Sequence, residues 1–93
     1  MTYLLKDPAA VLEYAIDWGA EYLEGDALAD SSWSVQPEEP DGLAIAGSSF
    51  DLLLSRVSAD GGMPGRLYRL TNHVELASGQ EDSRSIMLRV EQR

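Results

Sequence analysis

The stretch VLEYAIDW, Val11–Trp18, decides the fold class because it can be read in two ways. Ala9, Ala10, Leu12 and Glu13 behind Pro8 would suit the start of a helix. The alternation argues otherwise: Leu12, Tyr14, Ile16 and Trp18 fall on one side, Glu13, Ala15 and Asp17 on the other. A period of two over this length is the pattern of a half-buried strand, and it carries through to Trp18. The strand reading also separates the carboxylates from the apolar stripe.

Working outward, the same period recurs. In ALADSSWSV, Ala29, Ser31, Trp33 and Val35 alternate with Leu28, Asp30, Ser32 and Ser34. In LYRLTNHVEL, Tyr68, Leu70, Asn72, Val74 and Leu76 share a face opposite Arg69, Thr71, His73 and Glu75. The last strand points Ile86, Leu88 and Val90 inward, with Met87 and Arg89 outward. LAIAG and SSFDLLLSRV are two further strands that separate near Gly47, although Leu52–Leu54 also permits a short helix. Between these segments lie a Gly25–Asp26 turn, the proline-rich loop QPEEPDG, the glycine cluster SADGGMPGR, and the short connection ASGQED around Gly79. Short strands at about ten-residue spacing predict an all-β, immunoglobulin-like sandwich of about six to eight short antiparallel strands. The expected organisation is an N-terminal arm over residues 1–8, led out by Pro8, and a single sandwich domain over residues 9–93. Tyr68, at the start of a late strand, is placed to hydrogen-bond back across a corner.

Composition narrows the function. A chain of 93 residues offers a modest core and little cleft. It has no cysteine, so disulfides, thiolate metal sites and a cysteine nucleophile are excluded. No apolar run approaches a membrane span, and MTYLLKDPAAV does not read as a secretory signal, so neither membrane insertion nor export is expected. The net charge of −9 is carried by residues 1–41, while the charges of residues 42–93 cancel. Such an acidic chain is a poor partner for nucleic acid.

Candidate sites are sparse. Glu13, Asp17, Glu21, Glu24, Asp26 and Asp30 lack the loop spacing of a calcium site, and paired hydrolytic carboxylates need a cleft. They read as a solvated acidic face. His73, the one histidine, lies beside Glu75 on a strand and makes no metal site without further ligands. None of the many serines sits in a nucleophile elbow, and Gly61, Gly62 and Gly65 form a turn rather than a phosphate loop. No catalytic, metal or cofactor-binding residue is expected. Trp18 and Trp33 read as core, although an exposed aromatic pair would suit a carbohydrate-binding or adhesion module of the same fold.

Several segments taken in order resemble a known family. They are Lys6-Asp7-Pro8, Asp17-Trp18, Gly25-Asp26, Ser31 through Trp33, Tyr68 through Asn72 and Asp82 through Ile86. Across residues 6–91 the chain resembles small phage and prophage proteins described as fibre–tail adaptors or tail-region structural proteins. The resemblance implies a non-catalytic virion part acting at a head–tail or tail–fibre joint. It implies other virion proteins as partners, without nucleic acid or membrane. It further implies a monomer in solution or a ring-former on assembly, found in the virion once assembled and in the host cytoplasm before. Docking is then expected of the arm and of the loop 36–42, at Tyr3, Leu4, Leu5, Glu38, Glu39 and Asp41, since arms and loops can order on assembly.

Overall fold

A computed structural model describes residues 3–19 and 25–92. It holds seven strands and, among the described residues, no helix. They are β1 (Leu4–Lys6), β2 (Val11–Asp17), β3 (Leu28–Gln36), β4 (Leu43–Phe50), β5 (Leu54–Gly61), β6 (Leu67–Leu76) and β7 (Glu81–Val90). One sheet has the order β1-β7-β6-β3 and the other β2-β5-β4. All neighbours are antiparallel except β1, which runs parallel to β7. The expected arm therefore includes a strand of the first sheet.

Apart from β1, the strands form where alternation predicts them, and the two inner faces meet in two adjoining clusters. Leu43, Val57, Ala59, Tyr68, Leu70, Leu88 and Val90 make the first; Ile16, Trp18, Leu28, Val74 and Leu76 make the second. Trp33 and Ile86 pack against both. The inward positions of β6, Tyr68 through Leu76, are all buried, as read from their spacing. Leu12 departs from that reading. It lies on the inner face of β2 but is 38% exposed, because β2 is a sheet edge.

Two bulges account for further departures. On β3 the register steps from Leu28 opposite Leu76 to Asp30 opposite Glu75, leaving Ala29 as the extra residue. A residue inserted into one strand resets the side-chain alternation. Leu28 is accordingly buried and Ala29 exposed, the reverse of their expected places, while Ser31, Trp33 and Val35 point inward. On β4 the register shifts between Ile45 and Gly47, so Gly47 lies within one continuous strand instead of separating two. The reversal comes later, at residues 51–53. Asp51 Oδ1 accepts the N–H groups of Leu53 and Leu54, each at 2.9 Å, and the Asp51 N–H donates to Leu54 O at 2.9 Å. The two bonds from the Leu53 and Leu54 N–H groups hold the Asp51 carboxyl below its ordinary pKa. This is an Asx turn, in which a short carboxylate replaces backbone partners. Leu52–Leu54 form neither a helix nor a uniform strand. β5 then runs on through Ser58-Ala59-Asp60, which the glycine-rich composition had assigned to a turn.

The true turn begins at Gly62, with φ of +104°. A Cβ there would sit 2.6 Å from Val90 Cγ2. Gly62→Ala therefore combines left-handed strain with a clash against the core, and should cost about 1–3 kcal/mol in chemical denaturation.

Candidate functional site

Both tryptophans turn their indole nitrogens inward. The Trp18 indole N–H donates to Asn72 Oδ1 at 2.8 Å. The Asn72 amide nitrogen donates to Ser31 Oγ at 2.8 Å and to Ser32 O at 3.0 Å. Ser31 Oγ and Ser55 Oγ share a hydrogen bond of 2.7 Å, and the Trp33 indole N–H donates to Ser55 Oγ at 2.8 Å. The two indoles thus terminate one hydrogen-bonded chain through Asn72, Ser31 and Ser55. It crosses from β6 and β3 in one sheet to β5 in the other. Asn72 and Ser55 are fully buried, and buried polar groups belong where they can be satisfied. The network locks the sheets together and leaves neither indole ring as a surface platform: Trp18 is 1% exposed and Trp33 packs against both core clusters.

The acidic residues do not converge. Glu13, Asp17 and Asp30 are exposed. Asp26 binds the Ser78 hydroxyl at 2.6 Å and the Ala27 N–H at 2.8 Å, which lowers its carboxyl pKa. Glu21 and Glu24 lie outside the described residues. Among the described residues no group of three acidic or histidine side chains could hold a metal ion.

His73 makes contacts its sequence neighbours did not suggest. Its Nδ1 lies 2.8 Å from Ser83 Oγ and its Nε2 lies 2.9 Å from Glu81 Oε1, so the partner is Glu81 across the strand pair instead of Glu75. A histidine between a serine and a carboxylate invites comparison with a nucleophilic triad. Such a triad also needs donors aimed at a developing oxyanion. Here the Ser83 N–H is taken by Asp82 Oδ1 at 2.8 Å, which places a negative charge where an oxyanion would form. His73 and Glu81 are both exposed on an outer sheet face. The trio is a cross-strand surface contact.

The residues expected to dock fall into two kinds. Tyr3, Leu4 and Leu5 are exposed at 44%, 46% and 46%, which is unusual for three consecutive large apolar side chains. Glu38 and Asp41 are exposed in the loop, and Asp41 has a φ of +61°. Glu39 instead belongs to the fold. The Met63 N–H donates to the Tyr68 hydroxyl at 3.0 Å, and that hydroxyl donates to Glu39 Oε1 at 2.9 Å. Arg66 approaches the other Glu39 oxygen at 3.6 Å. Tyr68 thus makes the corner bond read from sequence and extends it to the loop. Burial, opposed by the Met63 bond and reinforced by Glu39, raises its pKa. Tyr68→Phe leaves the Met63 N–H and Glu39 without their partner and should cost about 1–3 kcal/mol in urea denaturation.

Lys6 was not singled out by its sequence. It is 1% exposed, and its Nζ donates to Asp7 O at 2.9 Å and to Gly61 O at 2.8 Å. Desolvation lowers its pKa, against the opposing pull of Asp60 and Asp7. Gly61 is paired with Leu43, the first residue after the loop. One end of the sandwich therefore gathers the end of β1, the 36–42 loop and the Met63–Arg66 turn around Gly61. That end carries a buried cation, and exposed acids and apolar side chains flank it.

Comparisons with known proteins agree with this geometry. No curated protein matches the chain. Among solved structures, the solution structure of the PKD domain from KIAA 1837 protein is similar in fold. It has a TM-score of 0.58 and 14% identity, covering 98% of this chain and 81% of that one. That domain is immunoglobulin-like, as the two-sheet architecture here is. A family model described as podophage GP4 fiber-tail adaptor protein gp77 matches residues 6–89, nearly the whole described structure. The chain therefore belongs to the podophage fibre–tail adaptor family.

Proposed function

We propose that the protein is a non-catalytic structural adaptor that bridges virion proteins at the tail–fibre or head–tail joint. The family match over residues 6–89 carries this reading. A small sandwich whose polar core is satisfied and whose exposed apolar side chains cluster at edges and loop tips suits a part that works by presenting surface. Docking is assigned to Tyr3, Leu4 and Leu5, and to Glu38 and Asp41 of the loop; Glu39 contributes by fixing that loop to Tyr68. The protein is made in the host cytoplasm as a monomer and enters the virion on assembly, where repeated copies would form a ring through head-to-tail contacts. A carbohydrate-binding role built on Trp18 and Trp33 would need their rings on the surface, and both indoles are held inward.

The test is assembly without the protein. Particles made in its absence should lack fibres or tails, and purified protein should restore them. Leu4→Asp with Leu5→Asp should restore at least tenfold less, with an unchanged melting temperature. Particles complete and infectious without the protein would refute the proposal.

A further inference from the structure

The first sheet has an edge that its own chain only partly covers. β7 is ten residues long, but β1 is three and pairs with Leu88, Arg89 and Val90 alone. Among the described residues, Glu81–Met87 therefore has a neighbour only on its β6 side. The direction of the free groups follows from the ladder. The Val90 N–H donates to Arg66 O, toward β6, whereas the Glu91 N–H donates to Lys6 O, toward β1. Alternate residues of an antiparallel strand aim their N–H and C=O groups to opposite sides. The register between β6 and β7 is unbroken, so Ser83, Ser85 and Met87 aim theirs outward with Glu91. Consistently, the Ser83 N–H is met by the side chain of its neighbour Asp82.

The space beside this edge is incompletely closed, with Ile86 facing it on the same side of β7 as Asp82 and Arg84. β3 and β4 approach each other on one side of the sandwich, so β2 lies over the β1/β7 side. Leu12 of β2 points inward yet is 38% exposed, and Leu4 of β1, paired with the inward Leu88, is 46% exposed. Ile86 is only half-buried. The hydroxyl of Tyr14, on the same edge strand β2, is buried with no hydrogen-bond partner among the described residues. The rim carries Glu13 on β2, and Glu81 and Asp82 on β7, with Arg84 the one basic residue between 81 and 87.

We infer that the free edge of β7, Glu81–Met87, accepts an extended segment of a partner virion protein, apolar at alternate positions and flanked by basic residues. Main-chain hydrogen bonds to the Ser83 carbonyl and to Ser85 and Met87 provide the affinity, and alternate side chains entering beside Tyr14 and Ile86 provide the selectivity. The basic flank answers the acidic rim. An edge of seven residues accommodates about 23 Å of strand, at about 3.3 Å per residue. This inference rests on the adaptor reading and specifies how the adaptor holds its partner.

Hydrogen exchange read by mass spectrometry on the free protein and on particles containing it tests the inference. Peptides covering 81–87 should exchange at least tenfold more slowly in the particle, with the β3 edge unchanged. Protection confined to residues 38–41 or any other surface would overturn the strand-addition site and leave the adaptor reading standing. If the unaltered protein does not enter particles, both fail. Ser85→Pro removes an N–H that faces away from β6, so the sheet should survive while incorporation falls at least tenfold. If that variant does not fold, Glu13→Lys with Asp82→Lys should lower incorporation tenfold or more. Incorporation equal to that of the unaltered protein would count against the site.

Discussion

Asn72→Ala should destabilise the protein by roughly 3–5 kcal/mol, a large share of what a domain of this size has. The side chain is fully buried and makes three hydrogen bonds, to Trp18, Ser31 and Ser32. Alanine leaves the buried Trp18 indole N–H without Asn72 Oδ1, and stranding a buried polar group costs more than the hydrogen bond contributes net. The effect should travel along the chain of bonds, because Ser31 also contacts Ser55, the acceptor for Trp33. Urea denaturation followed by tryptophan emission provides the measurement. Both indoles report on the network, so the native emission of the variant should also shift to the red. Ser55→Ala removes one acceptor at the far end and should cost less, about 1–2 kcal/mol. Equal losses for the two would mean that the network is not anchored at Asn72.

Lys6→Ala should cost about 3–5 kcal/mol, because it removes a buried aliphatic stem and two bonds from an ammonium group. Lys6→Met keeps most of the stem and should cost about 1–2 kcal/mol. Both variants should loosen β1, seen as faster exchange of the Glu91 amide, which donates to Lys6 O. A pH series separates charge from packing. The Lys6 pKa is lowered in the fold, so between that lowered value and 10.5 the unfolded chain binds more protons. Stability from this group therefore rises with pH across that window. Burial raises the pKa values of Tyr14 and Tyr68, so their contribution is present below about 10 and is lost as pH rises through their folded values. The stability gap between the unaltered protein and Lys6→Met should widen as pH climbs toward 10.5, since the tyrosines are common to both. A gap independent of pH would mean that Lys6 is solvated in the native state.

How far the sequence could be read depended on how local each cause is. β6 was legible in full because one of its faces is buried along its whole length, so period two persists from Tyr68 to Leu76. β2 was legible for the same reason, except at Leu12, where the edge opens. The bulges at Ala29 and between Ile45 and Gly47 were hidden, because they answer the register of a partner strand distant in sequence. The Asx turn at Asp51 was masked by the leucines that follow it. Lys6 resembled any surface lysine. Its burial arises from a carbonyl at Gly61, and no local pattern contains that information. Of the docking residues, Glu39 looked like its neighbour Glu38, and only the approach of Tyr68 distinguishes them.

The direction of β1 bears on load. Because β1 runs parallel to β7, the chain enters this ladder at Leu4 and leaves it at Val90, at opposite ends of the shared rungs. A pull on the two chain ends drags the strands past each other along their length. The rungs from Leu4 to Lys6 then bear the tension together instead of opening one by one, with the Lys6 ammonium as a further pin to Gly61. In single-molecule pulling through the ends, Lys6→Ala should therefore lower the rupture force far more than Gly62→Ala does, although both lie at the same end of the sandwich. This strand pair is arranged to resist such tension.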